Sequence, residues 1–244
     1  MVMATSPTRG IAITQFISVI RMKISLIHPS RGRAEKSAEN SKRWISRATS
    51  GHTIELIVVI DNDANEYGKY WDAYQGVADD DWNKFGIIIE SEGNTVVQAT
   101  NFAAAHTDAD VLTYLSDDFD CPYGWDELIV KEFEDATGPR LIKVDDMLQP
   151  FHVPVLTIPI MNRALYERLG YFFHPDFRSM HCDEHLYQVA MKLGALKMCP
   201  HLKFEHKHVS VGKAEDDETY RRSAANWNHG KTTLERHKRM GFPI

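Results

Sequence analysis

The sequence predicts an α/β fold: a mostly parallel sheet flanked by helices, followed by a smaller C-terminal portion. Three observations carry this. Leu56-Ile57-Val58-Val59-Ile60 is a β-branched run without polar alternation, as in a strand covered on both faces. Strand-like runs alternate with segments of helical spacing, the order of a parallel sheet. The chain has 244 residues, 43% of them apolar, enough for a globular core; disorder, collagen and low-complexity fibre are excluded.

In order along the chain, residues 22–27 read as a first strand, ended by His28-Pro29-Ser30. Residues 34–48 have helical spacing and stop at Ser50-Gly51, and residues 56–60 form the second strand. Tyr67, Tyr70, Trp71 and Tyr74 stand at i, i+3, i+4 and i+7, a helix whose aromatic stripe suits the core. Residues 86–90 are a third strand, and Asn94 is a good N-cap for a helix reaching His106. Residues 111–115 are the fourth strand, with a helix over 125–133.

After Pro139 the rhythm changes. Residues 141–144 and 153–160 are strand-like, the second carrying two prolines and so suited to an edge or an irregular strand. Helices follow at 163–169 and 183–193, the latter closed by Gly194. Short strands at 196–199 and 203–205 precede one long polar helix over 215–240. No repeat and no linker-like composition interrupts residues 22–244, which are expected to form one domain. Residues 1–21 are expected to be an extension, with Met22 as the natural start or the extension loosely held. Its apolar stretch 11–20 faintly resembles a secretory core, but Arg21-Met22-Lys23 stands where a cleavage site belongs.

The net charge of −6 is unevenly spread: residues 1–60 carry +6, residues 61–137 carry −16 and residues 138–244 carry +4. An acidic middle between basic flanks suits a site that holds both cations and anions. Three cysteines are too few for a disulfide framework, and no Asn-x-Ser/Thr acceptor occurs, which points to a reducing, cytoplasmic setting. No apolar run is long enough to span a membrane.

Three strand ends carry chemistry. Ser116-Asp117-Asp118-Phe119-Asp120 places three carboxylates directly after the fourth strand, where ligands of open parallel sheets sit. Such carboxylates repel one another unless they share a hard cation, Mg2+ or Mn2+. His28-Pro29-Ser30-Arg31-Gly32-Arg33 offers two guanidinium groups to a diphosphate or to a base and ribose. Asp61 ends the second strand, positioned to accept hydrogen bonds from a base or ribose. Neither Gly-x-Gly-x-x-Gly nor a P-loop is present, which disfavours dinucleotide and P-loop sites.

From residue 22 to about 209, the chain resembles the GT-A fold glycosyltransferases, most closely their family 2-like bacterial and phage group. The resemblance rests on His28-Pro29-Ser30-Arg31, on Val58-Val59-Ile60-Asp61, on the helix Gln98-Ala99-Thr100-Asn101-Phe102-Ala103-Ala104-Ala105, and on the Asp-x-Asp-like Asp118-Phe119-Asp120. Ala103 stands where the family's helix usually has glycine. A GT-A-like catalytic domain over 22–244 is thereby implied, with a nucleotide-sugar donor (a UDP sugar foremost) and a divalent metal, Mn2+ or Mg2+. Carried over, Asp61 meets the base and Asp117 the ribose or base; His28, Pro29, Arg31, Arg33 and Asn101 line the nucleotide; Asp118 and Asp120 face the metal. The acid pair Asp183-Glu184 matches the position of the catalytic base of an inverting enzyme, with the choice between them open. His206 or His208 is a candidate for completing the metal shell.

His181-x-x-Glu184-His185 fits an inverted zinc-protease motif, though too little chain follows for its further ligand. A nucleotidyltransferase of similar fold, or a non-catalytic sugar-nucleotide or carbohydrate-binding module, are the alternative functions. The acceptor is less legible. Arg221, Arg222, Lys231, Arg236, Lys238 and Arg239 surround Trp227, a basic stretch that would suit DNA bearing a hydroxylated base, while a saccharide acceptor remains open.

Overall fold

Strand β1 (Lys23–Pro29) lies inside the sheet and is buried from Ile24 to His28. It pairs in parallel with β2 (Thr53–Asp61) on one side and β4 (Val111–Tyr114) on the other; β3 (Gly86–Ser91) extends the sheet beyond β2, also in parallel. The computed structural model describes residues 21–61, 64–75, 77, 86–91 and 95–243, and only the backbone of 61, 64, 65 and 86–91. The expected extension lies, apart from Arg21, outside the described residues.

Beyond β4 the direction reverses. β7 (Ile160–Asn162) is antiparallel to both β4 and β6 (Leu141–Asp145), and β8 (Leu196–Lys203) is parallel to β6. The sheet order is β3-β2-β1-β4-β7-β6-β8, and a separate antiparallel pair joins β5 (Phe119–Asp120) to β9 (Glu205–His206).

The unalternated strands feed two cores, because successive side chains point to opposite faces. Leu56, Val58 and Ile60 join one cluster with Trp44 of α1 (Ala34–Ser46), Tyr70 and Tyr74 of α2 (Ala64–Tyr74) and Trp125 of α4 (Trp125–Lys131). Ile57 and Val59 join the other, with Ala103 of α3 (Val96–Ala105), Leu165 of α5 (Arg163–Leu169) and Val189 of α6 (Cys182–Lys192). Each fully buried Val, Leu or Ile side chain among these contributes roughly 1.5–3 kcal/mol.

Several local expectations change. The aromatic stripe of α2 divides: Tyr70 and Tyr74 are buried, while Tyr67 and Trp71 are exposed. Helix α3 is capped by Thr95, whose hydroxyl accepts from the Gln98 amide, rather than by Asn94, which lies outside the described residues. Residues 153–159 are irregular, and only 160–162 pair, since Pro154 and Pro159 cannot donate to a ladder. One strand, β8, replaces the two short ones predicted between 196 and 205, and β9 follows it. The long C-terminal helix breaks at Asn226 into α7 (Glu218–Ala225) and α8 (Trp227–Arg239). Gly194, at φ +64°, ends α6 as expected. Gly230 lets α8 lie against the turn before α6, where an added Cβ would come 2.1 Å from the Met180 carbonyl oxygen.

Candidate active site

The chain leaves β1 for β2 on one side, while β4 adds on the other, so a crevice opens at the carboxyl ends of β1 and β4. A cleft there is lined by Pro29, Arg31, Arg33, Asp117, Asp118, Arg178, Tyr220 and Arg222, among others. The strand-end arginines and two of the three predicted carboxylates therefore converge.

Asp117 is fixed by β1. His28 is fully buried; its Nε2 lies 2.8 Å from Asp117 Oδ1 and its Nδ1 lies 3.0 Å from Ser41 Oγ. Ser30 Oγ donates to the same carboxylate at 3.2 Å, and Arg33 reaches its other oxygen at 3.5 Å. His28 thus orients a carboxylate rather than lining the cleft itself.

Asp118 lies in the turn before β5. Its Oδ2 accepts from Tyr220 Oη at 2.5 Å and lies 3.1 Å from His206 Nε2. The β5–β9 ladder, which sets Phe119 opposite His206, produces the second contact. Burial opposes ionisation of Asp118, but the His206 and Tyr220 hydrogen bonds outweigh it and hold the carboxyl down to about 2. Its other oxygen, Oδ1, is buried without a hydrogen bond of ordinary geometry, as is Nδ1 of His206. Asp118 and His206 meet through Oδ2 and Nε2, and each keeps one unsatisfied atom, a carboxylate oxygen and an imidazole nitrogen, of the kinds that ligate divalent cations.

Asp120 does not join them. Asp118 is in a turn rather than the strand, so strand alternation does not put the two acids on one face. Arg47 and Lys207 take the Asp120 carboxylate at 2.5 and 2.6 Å, and these cations hold it below its ordinary range against the effect of burial. His208 stacks edge-on against His206 at 4.9 Å, with Nδ1 accepting from the Ser210 amide at 3.1 Å, and burial lowers its pKa. Asn101 is also committed elsewhere: its oxygen accepts from the amides of Phe172 and Phe173, and its nitrogen donates to the Phe173 carbonyl. It anchors that turn instead of lining the cleft. Asp61 ends β2, but its side chain lies outside the described residues.

The acid pair opens α6. Burial raises the Asp183 carboxyl, and its field acts on Tyr114 and on Lys143, a buried amine that donates to the Val153 carbonyl at 2.9 Å. Glu184 turns to His181, 3.1 Å away. His185 instead meets His237, so the two histidines of the protease-like motif have separate partners and do not form a pair.

Asp217 and Tyr220, which no sequence motif marks, also belong to the cleft. The α7 segment folds back over the β1 mouth: Asp217 grips Arg33 through two bonds of 2.6 and 2.7 Å, and Thr219 donates to the Arg31 carbonyl at 3.2 Å. The Arg33 guanidinium lies 4.7 Å over the Tyr220 ring. The only local signal was an N-cap aspartate before a polar helix.

Residues 34–186 match the model of glycosyl transferase family 2. None of the curated proteins matches the sequence. Among solved structures, a mannosyltransferase of Pyrobaculum calidifontis, PcManGT in complex with GDP-Man and Mn2+, superposes with a TM-score of 0.60 at 15% identity, over 92% of this chain and 73% of that one. TarS of S. aureus, residues 1–349 in complex with UDP, gives 0.59 at 14% identity, over 88% and 72%. GalNAc-T7 with UDP, GalNAc and Mn2+ gives 0.61 at 14% identity, over 76% and 44%. At these identities the neighbours establish the fold. The family model spans more than half the chain, and with strand-end carboxylates and arginines meeting in one crevice, the chain belongs to glycosyl transferase family 2, as a glycosyltransferase of the GT-A fold.

Proposed function

We propose that this protein transfers a sugar from a nucleotide-sugar donor, a UDP sugar, to an acceptor hydroxyl with inversion at the anomeric carbon. The observation that carries it is the convergence of Arg31, Arg33, Asp117 and Asp118 in one cleft at the carboxyl ends of β1 and β4. Asp117, oriented by His28 and Ser30, binds the ribose or base, Asp61 meets the base, and Arg31 and Arg33 face the diphosphate. Asp118 and His206, with His208 beside them, would hold Mn2+ or Mg2+. Such an ion stabilises the negative charge of a departing nucleoside diphosphate.

Asp183 is the general base. Burial raises its carboxyl toward the working pH, which favours proton abstraction, whereas Glu184 is occupied by His181. The acceptor oxygen attacks the anomeric carbon, the bond to the phosphate oxygen breaks, and the acceptor proton passes to Asp183. One displacement with one base inverts the centre.

A saccharide fits the acceptor side better than DNA. Two of the basic groups are matched by acids, Arg236 by Asp176 and Arg221 by Asp216, while Trp227 is 49% exposed and packs on His181 beside the acid pair. An exposed indole there offers an apolar face to a sugar ring. A thermal-shift screen of nucleotide sugars with Mn2+ tests the donor. Release of UDP from a UDP sugar supports the proposal; release of pyrophosphate from a nucleoside triphosphate would mark a nucleotidyltransferase. A gel shift with DNA at low salt would bring back the nucleic-acid acceptor.

A further inference from the structure

We propose that His174, Asp176 and His237 form a second metal site, distinct from the donor cleft, that takes a divalent transition ion of the zinc class. One donor atom from each residue can be chosen so that all lie within 4.8 Å of one another. His237 Nε2 is 2.8 Å and His174 Nδ1 3.9 Å from the same carboxylate oxygen of Asp176. A tetrahedral zinc with bonds of about 2.0–2.1 Å needs its ligand atoms roughly 3.3 Å apart, so side-chain shifts of about 1 Å complete the shell. Two imidazoles and one carboxylate favour zinc, cobalt or nickel over magnesium or calcium, which prefer oxygen.

The surroundings suit this use. His174 Nδ1 accepts from the Asp176 amide at 3.2 Å, a bond that a metal held on this nitrogen would replace. His237 is buried, and its Nδ1 lies 3.1 Å from His185 Nε2. That contact fixes the ring from behind, as a supporting hydrogen bond does for a metal-bound imidazole. Asp176 is 42% exposed, leaving an entry path and room for a water in the fourth position. Arg236, 2.6 Å from the Asp176 carboxylate, occupies the charge the ion would take.

Such an ion would clasp α8 to the turn after α5, across 61 residues of sequence, and closing a loop of that length stabilises a fold. Calorimetry with ZnCl2 alone, on the full chain freed of metal, should show one zinc bound in the Asp118→Asn variant, where the donor cleft cannot compete, together with a rise in Tm. His174→Ala, on the rim of the cluster, should weaken zinc binding about 100-fold or more and abolish the rise in Tm. Asp176→Asn should do the same, which separates ligation from any misfolding caused by changing buried His237. Arg236→Gln should bind zinc several-fold tighter, because a competing cation is gone. Co2+ in place of zinc should give tetrahedral absorption bands that vanish with His174→Ala. Zinc binding unchanged in His174→Ala and Asp176→Asn, or no zinc bound to the Asp118→Asn variant, would overturn the proposal and leave a hydrogen-bonded clasp.

Discussion

Arg33, at the mouth of β1, is held by both carboxylate oxygens of Asp217, 184 residues later in the chain. The pair ties α7 over the cleft and occupies the guanidinium assigned to the donor diphosphate. Asp217 is also the N-cap of α7, accepting from the Tyr220 amide. Asp217→Asn keeps a good cap and removes the charge, so it isolates the ion pair. UDP affinity with Mn2+, measured by calorimetry, should rise several-fold in this variant and fall at least about tenfold in Arg33→Ala, a loss of ~1.4 kcal/mol. Equal affinity in both would place the diphosphate elsewhere.

The two acids of the Asp-x-Asp-like turn should behave differently. Asp118→Asn should abolish Mn2+-dependent UDP binding, as should chelation by EDTA in the unaltered protein. Asp120→Asn breaks ion pairs with Arg47 and Lys207 and should lower Tm while leaving UDP affinity within about twofold. Calorimetry and thermal melts on both variants check this.

Asp183→Asn should lower kcat by roughly 10²–10⁴-fold with donor affinity retained. Glu184→Gln should have only a small effect on kcat, because that carboxylate is engaged by His181. Since burial raises the Asp183 carboxyl, kcat should fall on the acid side at a pH above the ordinary aspartate range. The base must be ionised to act, so activity is lost as pH drops through that raised value. An acid limb unchanged by Asp183→Glu would argue against this residue.

Asn101→Ala removes an anchor bonded to three backbone groups of Phe172 and Phe173. A cost of about 2–3 kcal/mol is expected, from amides left without their acceptor. Thermal melts should show the loss, and UDP affinity of the folded fraction should be unchanged.

What the sequence made legible was local. Three carboxylates after a strand, and two arginines after another, mark a site because strand termini of a parallel sheet meet ligands. The unalternated run 56–60 announced a strand buried on both faces, and both cores confirm it. What stayed hidden depends on distant partners. Asp120 looked like a ligand by spacing, yet the turn at Asp118 and the reach of Lys207 redirect it. Tyr220 lies in the segment expected as one long polar helix, and only the fold-back of α7 brings it to Asp118. Asn101 looked like a nucleotide contact because its helix matched a family motif, while its partners lie about seventy residues onward.

The close approach of Gly230 to the Met180 carbonyl leaves no room for any side chain on α8 at that point. Met180 stands two residues before α6, the helix that carries Asp183, so this single missing methyl sets how near the C-terminal arm comes to the start of that helix. Among relatives, a glycine at this position becomes a diagnostic character: chains that dock the matching helix on the turn before α6 as here must retain it, and chains with a bulkier residue must carry that arm elsewhere. Sorting homologues by one residue would therefore divide them by where that helix docks.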